Sequence, residues 1–127
     1  MSLNSPLGRV LGLGSAGAGT DHFIAQRVSA IGLLLLGSWF LYRLFTLDSF
    51  AFLDAVRFIG APLNGVLLTL LVLTLAYHSW LGLQVVIEDY VHAPLLKAAS
   101  LIAARFAHVF VAVAAVYAIL LIGLQRL

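Results

Sequence analysis

The sequence has no cysteine and very little charge. Of its 127 residues, 9% are charged and 63% are hydrophobic, and the mean hydropathy is +1.11. The lack of cysteine excludes disulfides, thiolate metal sites, iron–sulfur ligation and thiol nucleophiles within this chain. Because soluble domains carry roughly a quarter charged residues, the shortage of charge excludes a soluble globular protein and indicates an integral membrane protein.

The sequence also has no cluster of basic residues, and it is short. The seven Lys and Arg residues are scattered and the net charge is only +2, so nothing predicts nucleic-acid binding. A spanning helix needs about 20 residues, and 127 residues therefore accommodate three or at most four of them. We expect one small transmembrane domain covering residues 1–127.

Long apolar stretches predict an all-α membrane protein with three transmembrane helices, at about residues 23–47, 61–88 and 98–125. The first stretch is free of charge only over residues 28–42, so either Arg27 and Arg43 snorkel from its ends or one of them faces the interior of the bundle. Residues 48–60 mix charged and aromatic side chains, which is typical of a short amphipathic segment in the membrane interface. Residues 1–22 are Gly- and Ser-rich and are predicted to form a tail.

The distribution of basic residues predicts the orientation. Four basic residues lie on the side of the N-terminus and three on the other side; they are Arg9, Arg27, Lys97 and Arg105 against Arg43, Arg57 and Arg126. The positive-inside rule then places the N-terminus in the cytoplasm. Because the tail lacks the Arg-rich amphipathic character of a mitochondrial transit peptide, we expect the inner (cytoplasmic) membrane of a bacterium.

Two histidines lie deep within the predicted spans. His78 lies in the longest uncharged stretch and His108 lies in the third helix at a similar depth. An ionisable side chain at such depth is a functional candidate, and imidazole is a common haem-iron ligand. The alternative is a hydrogen bond between helices. The depths allow both an intrachain bis-histidine haem and a haem shared with a partner.

Charged residues near the start of the first helix form a second candidate site. The guanidinium of Arg27 is suited to pair with a carboxylate, of which a haem propionate is one example. The alternative is an arginine that anchors the helix at the interface. Asp21 allows two further interpretations, because it either caps the helix or pairs with Arg27 itself.

The end of the second helix carries Glu88, Asp89 and Tyr90. A tyrosine hydroxyl there can donate a hydrogen bond to the carbonyl of a lipid-soluble quinone, and a neighbouring carboxylate can relay protons from water. The alternative is a tyrosine of the aromatic belt beside acids that end the helix.

The segment from His78 through Gly82 to Asp89 and Tyr90 resembles the signature of the smaller hydrophobic membrane anchor subunits of succinate dehydrogenase, which is also called complex II. In that signature a glycine follows the histidine by four residues and the tyrosine follows it by twelve, as here. The segment 21–30 is similar to the entry of the family's first helix. The three-helix plan covers almost the whole chain.

The resemblance implies half of a heterodimeric haem-binding anchor bundle. His78 would be one axial ligand of haem b, with the other supplied by a second three-helix anchor subunit, and Arg27 would contact a propionate. Tyr90 would hydrogen-bond ubiquinone, with Asp89 beside it supplying protons. His108 would then be structural.

The remaining partners implied are an iron–sulfur subunit, a flavoprotein subunit and membrane lipid, in electron transport linked to the tricarboxylic acid cycle. The chain would be a non-flavin subunit of an enzyme and not catalytic alone. Two alternatives keep the three helices: a haem-free scaffold, and a stand-alone cytochrome that uses His78 and His108.

Overall fold

A computed structural model of the chain describes residues 17–125. Within this range the fold is all-α, and its four helices are α1 (Gly17–Phe45), α2 (Phe52–Gly60), α3 (Pro62–Tyr90) and α4 (Pro94–Leu124). Residues 1–16 of the predicted tail, with Arg9, and also Arg126 lie outside the described residues.

Three of these helices are long and apolar enough to cross a membrane. The candidate spans contain 27, 29 and 31 residues, which at 1.5 Å per residue is about 40–46 Å of helix, more than the roughly 30 Å hydrocarbon core. The prediction of an all-α membrane protein with three transmembrane helices is therefore confirmed, and the chain is a multi-pass membrane protein.

Helix α1 begins earlier than the sequence pattern predicts. It starts at Gly17 rather than near residue 23, so residues 17–22 belong to the helix and not to the tail. Gly, Thr and Asp are weak helix formers, but a helix that already exists gains a hydrogen bond with each added residue. Asp21 consequently lies inside α1 and does not cap it.

Proline begins both α3 and α4. Pro62 and Pro94 occupy the first turns of their helices, where the missing N–H would have no intrahelical partner and the fixed φ suits the helix. Helix α4 therefore begins four residues before the predicted position, because Pro94 starts a helix instead of only ending the preceding one. The α3–α4 connection is three residues long, which makes the two helices antiparallel neighbours.

The three spanning helices lie in a row with α3 in the middle. Helix α3 packs against α1 on one side and against α4 on the other, whereas α1 and α4 have no Cα atoms within 8 Å of each other. This layer encloses little core in the described part of the chain. The buried hydrophobic residues are Phe58, Leu68, Leu81, Ile87 and Ala112.

The short helix α2 packs across the end of this layer, at the ends of the helices that lie far from Tyr90. Its residue Phe58 is buried and stacks on Trp39 of α1, with 6.2 Å between ring centroids. The Arg43 guanidinium of α1 lies over the same Phe58 ring, 5.6 Å from its centroid. The Asn64 amide donates to the main-chain oxygen of Phe58 at 2.9 Å and thereby satisfies a carbonyl at the end of α2.

Candidate functional site

His78 of α3 is hydrogen-bonded to Ser29 of α1. The Ser29 Oγ lies 2.9 Å from the His78 Nδ1. Ser29 comes twelve residues after the start of α1 and His78 comes twelve residues before the end of α3, so in antiparallel helices both lie about 18 Å from the same end. The structure thus places an imidazole well inside the spanning helices, with one nitrogen held by the neighbouring helix.

The other ring nitrogen of His78 makes no hydrogen bond with any described residue. This nitrogen is not fully buried. The fully buried side-chain atoms without a partner in this part of the chain are others, namely His22 Nε2, Gln26 Oε1 and Arg43 Nε. One turn further along α3, at Gly82, an added Cβ would make one ordinary contact, with the Gln26 Nε2 of α1 at 3.8 Å. An unengaged nitrogen beside a glycine suits the approach of a flat ligand.

His108 uses both ring nitrogens within the chain. Its Nδ1 lies 2.7 Å from the Ala104 carbonyl oxygen, one turn earlier in α4, and its Nε2 lies 3.1 Å from the Ser79 Oγ of α3. Trp80 packs edge-on against the imidazole, with 6.1 Å between centroids. The structure therefore does not bring His108 together with His78, which faces the opposite neighbour of α3.

Arg27 is exposed on α1, two residues before Ser29. Its guanidinium lies over the Phe23 ring, 5.0 Å from the centroid. Among residues 17–125 the one ion pair is Arg57 with Asp54, so the possible pairing of Arg27 with Asp21 is not formed. Arg27 retains its donors for another carboxylate.

The two residues of the candidate quinone site lie at the exposed C-terminal end of α3. Asp89 and Tyr90 are both exposed, and 79% of the Tyr90 surface is accessible in the single chain. The neighbouring Glu88 is engaged structurally: its carboxylate accepts from the Gln84 amide at 2.8 Å, and its main-chain oxygen accepts from the Lys97 ammonium at 2.6 Å. Tyr90 lies about 18 Å along α3 from His78, too far for direct contact.

Sequence reasoning missed Ser29 and Gln26 on α1. His22, Gln26 and Ser29 are spaced by four and then three residues, so they share one helical face. This spacing was a usable signal, because three polar side chains on one face of an apolar helix require partners. Which helix supplies those partners depends on how α1 is rotated against α3.

Comparison with known proteins agrees with this architecture. The family model described as succinate dehydrogenase/fumarate reductase transmembrane subunit matches residues 1–123. A protein of Rickettsia bellii called succinate dehydrogenase hydrophobic membrane anchor subunit is 34% identical over 106 residues, which cover 84% of this chain and 85% of that protein. A protein of Paracoccus denitrificans with the same name is 32% identical over 113 residues, covering 89% and 87%.

The match thus includes all three spanning helices almost to the end of α4, and the similarity to both relatives extends over more than four fifths of each sequence. The resemblance found in the segment from His78 to Tyr90 is confirmed at the level of the family. The chain belongs to the succinate dehydrogenase/fumarate reductase transmembrane subunits, as a hydrophobic membrane anchor subunit of succinate dehydrogenase.

Proposed function

We propose that this anchor subunit holds a b-type haem together with a second three-helix anchor subunit and helps to form a ubiquinone-reduction site. In this proposal a flavoprotein subunit oxidises succinate and an iron–sulfur subunit passes the electrons to the quinone. His78 would bind the haem iron, and Arg27 would contact a haem propionate. Tyr90 would hydrogen-bond the quinone, and Asp89 would supply protons to it.

The unequal use of the two His78 nitrogens carries the haem proposal. Metal-binding histidines hold the metal with one nitrogen and donate from the other to a protein acceptor, and His78 has a protein partner at Nδ1 only. His108 is satisfied at both nitrogens, which favours a haem shared with another subunit over an intrachain bis-histidine site. When bound, the haem would supply a one-electron redox centre.

The absence of a side chain at Gly82 and the free guanidinium of Arg27 support the same assignment. A macrocycle needs a close approach to the helix that supplies its ligand, and a glycine one turn from His78 permits it. Haem propionates are carboxylates that arginine binds in a planar, two-bonded geometry. Arg27 has no acidic partner among the described residues and lies at about the depth of the glycine.

The proposed quinone site uses exposed groups at the end of α3. The Tyr90 hydroxyl would donate a hydrogen bond to a quinone carbonyl and so orient the ring. Reduction to the quinol takes up two electrons and two protons, and the Asp89 carboxylate can pass protons from water to the quinone oxygens. The chain therefore contributes geometry and protons, while the electrons come from its partners.

The orientation belongs to the same proposal. If the iron–sulfur subunit binds where Tyr90 lies, the α3–α4 connection and the start of α1 share the cytoplasmic side of a bacterial inner membrane. The basic residues of the chain, Lys97 among them, support this orientation.

A reduced-minus-oxidised absorbance spectrum of the purified complex tests the haem proposal. We expect a b-type band in the wild type that is lost in His78→Ala and retained in His108→Ala. His92→Ala is a matched control, because His92 is exposed and lies outside the spans. Co-purification of the flavoprotein and iron–sulfur subunits must show that each variant assembles.

Other spectra would contradict the proposal in distinct ways. A wild-type complex without a haem band, but with its iron–sulfur subunit present, would favour the haem-free scaffold. Loss of the band in both His78→Ala and His108→Ala, with assembly intact, would favour the stand-alone cytochrome.

A further inference from the structure

Ser29 is the one buried polar side chain in the described part of the chain, with 6% of its surface accessible. It lies within an apolar helix at the depth of His78. A hydroxyl buried at this depth needs hydrogen-bond partners, and Ser29 has one on its own helix and one on the next. The first is the main-chain oxygen of Gln26, which accepts from Ser29 Oγ at 3.1 Å, and the second is His78.

The arrangement determines which His78 nitrogen carries the proton. A serine hydroxyl has one hydrogen and two lone pairs. Both contacts are hydrogen bonds at the same time only when that hydrogen is donated to the Gln26 carbonyl oxygen and Ser29 Oγ accepts from a protonated His78 Nδ1. The Nε2 of His78 then carries the lone pair, as metal binding requires.

Close packing of α1 on α3 holds this contact in place. At Gly32, three residues beyond Ser29, an added Cβ would lie only 3.2 Å from the Thr74 Cγ2 of α3. The two helices therefore approach as closely as a glycine allows, within one turn of the Ser29–His78 pair. The rotation and separation of α1 relative to α3 are thus constrained where the hydroxyl meets the imidazole.

We propose that Ser29 is a positioning residue that sets the tautomer, orientation and electron donation of His78 toward haem iron. This inference rests on the proposed function, because it concerns His78 as an axial ligand. A hydrogen bond from Nδ1–H to an acceptor increases the basicity of the opposite nitrogen. A more basic ligand favours ferric over ferrous iron, so Ser29 lowers the reduction potential of the haem.

A redox titration of the haem in the complete complex tests this role. We expect Ser29→Ala to shift the midpoint potential to a more positive value, because His78 loses its acceptor. Ser29→Thr keeps the hydroxyl and should restore the wild-type potential. Ser38→Ala is the matched control, since the Ser38 hydroxyl also donates to its own helix, at Leu34, but contacts no histidine; its potential should equal that of the wild type.

The possible outcomes separate this inference from the proposed function. A wild-type complex without haem rejects the proposed function itself. Haem present in all variants, with the same potential in Ser29→Ala as in Ser38→Ala, overturns the role of Ser29 and leaves the haem proposal standing. If Ser29→Ala does not assemble, Ser29→Cys replaces it: the thiol is a weaker acceptor of similar size, so an unchanged potential overturns the inference and a positive shift supports it.

Discussion

Ser79 and His108 join the two antiparallel helices α3 and α4 through a hydrogen bond of 3.1 Å between Oγ and Nε2. The other nitrogen of His108 donates to the Ala104 carbonyl oxygen, so Nε2 is the acceptor and the Ser79 hydroxyl the donor. Ser79 and His78 are consecutive in sequence, yet their side chains bond to helices on different sides of α3. Consecutive residues on a helix differ by about 100° in direction.

Ser79→Ala should destabilise the anchor without removing haem. The substitution leaves the His108 Nε2 without its donor, and interhelical hydrogen bonds in membrane proteins contribute about 0.5–2 kcal/mol. Unfolding of the complex in a detergent series measures the change, and the absorbance spectrum reports the haem. Loss of the haem band from a well-assembled Ser79→Ala complex would contradict a purely structural role for His108.

Gly32→Ala should destabilise the α1–α3 contact by about 1 kcal/mol or more. The new methyl group would lie 3.2 Å from the Thr74 Cγ2, so Thr74 or the two helices must shift by a few tenths of an ångström to accommodate it. Gly37→Ala is the matched control on the same helix, since nothing lies within 4 Å of its added Cβ. Alanine is the better helix former, so this control should be neutral or slightly stabilising in the same unfolding measurement. Equal effects at the two positions would show that close packing at Gly32 does not determine the stability of the α1–α3 contact.

Tyr90→Phe should slow ubiquinone reduction by about threefold to tenfold, because one hydrogen bond is worth roughly 1 kcal/mol. Succinate oxidation with an artificial acceptor that takes electrons before the membrane should be unchanged. Tyr42→Phe removes a hydroxyl from another exposed tyrosine, at the far end of α1, and should leave both rates unchanged. If Tyr90→Phe matches Tyr42→Phe, Tyr90 is a tyrosine of the aromatic belt and not a quinone ligand.

Arg27→Gln should accelerate haem loss by up to about fivefold. An exposed charge pair contributes about 1 kcal/mol or less. A free-energy difference of about 1 kcal/mol corresponds to a ratio of about five between the haem-loss rates of the variant and the wild type. Transfer of haem from the complex to excess apomyoglobin measures the rate. Arg57→Gln is the control, because Arg57 pairs with Asp54 in α2, far from His78. Equal rates of haem loss from both variants would assign Arg27 to interface anchoring alone.

Much of the fold could be predicted from the sequence because the bilayer imposes strong constraints. Long uncharged stretches must be helical where no water can form hydrogen bonds with the backbone, so the three spans could be predicted. The mixture of charged and aromatic residues likewise predicted the amphipathic segment 48–60. The helix starts were less predictable. Gly17 and Pro94 are both residues associated with breaks in helices, yet each begins one here.

The candidate site was predictable where a residue type and its depth were sufficient. His78 stands out from its depth in an apolar helix alone, whereas the roles expected of Arg27 and Tyr90 follow from the family resemblance. The bond between Ser29 and His78 was not predictable, because it depends on the rotation of α1 about its axis and on close approach near Gly32. Helical periodicity groups Ser29 with Gln26 and His22 but does not identify the neighbouring helix.

The placement of α3 between α1 and α4 has an energetic consequence. Because α1 and α4 do not touch within the described part of the chain, substitutions on these two helices share no contacts with each other. Free-energy changes add when sites are distant and independent. The loss of unfolding free energy in a Gly32→Ala, His108→Ala double variant should thus equal the sum of the losses in the two single variants. The α1–α3 and α3–α4 contacts would then have no interaction energy with each other through α3.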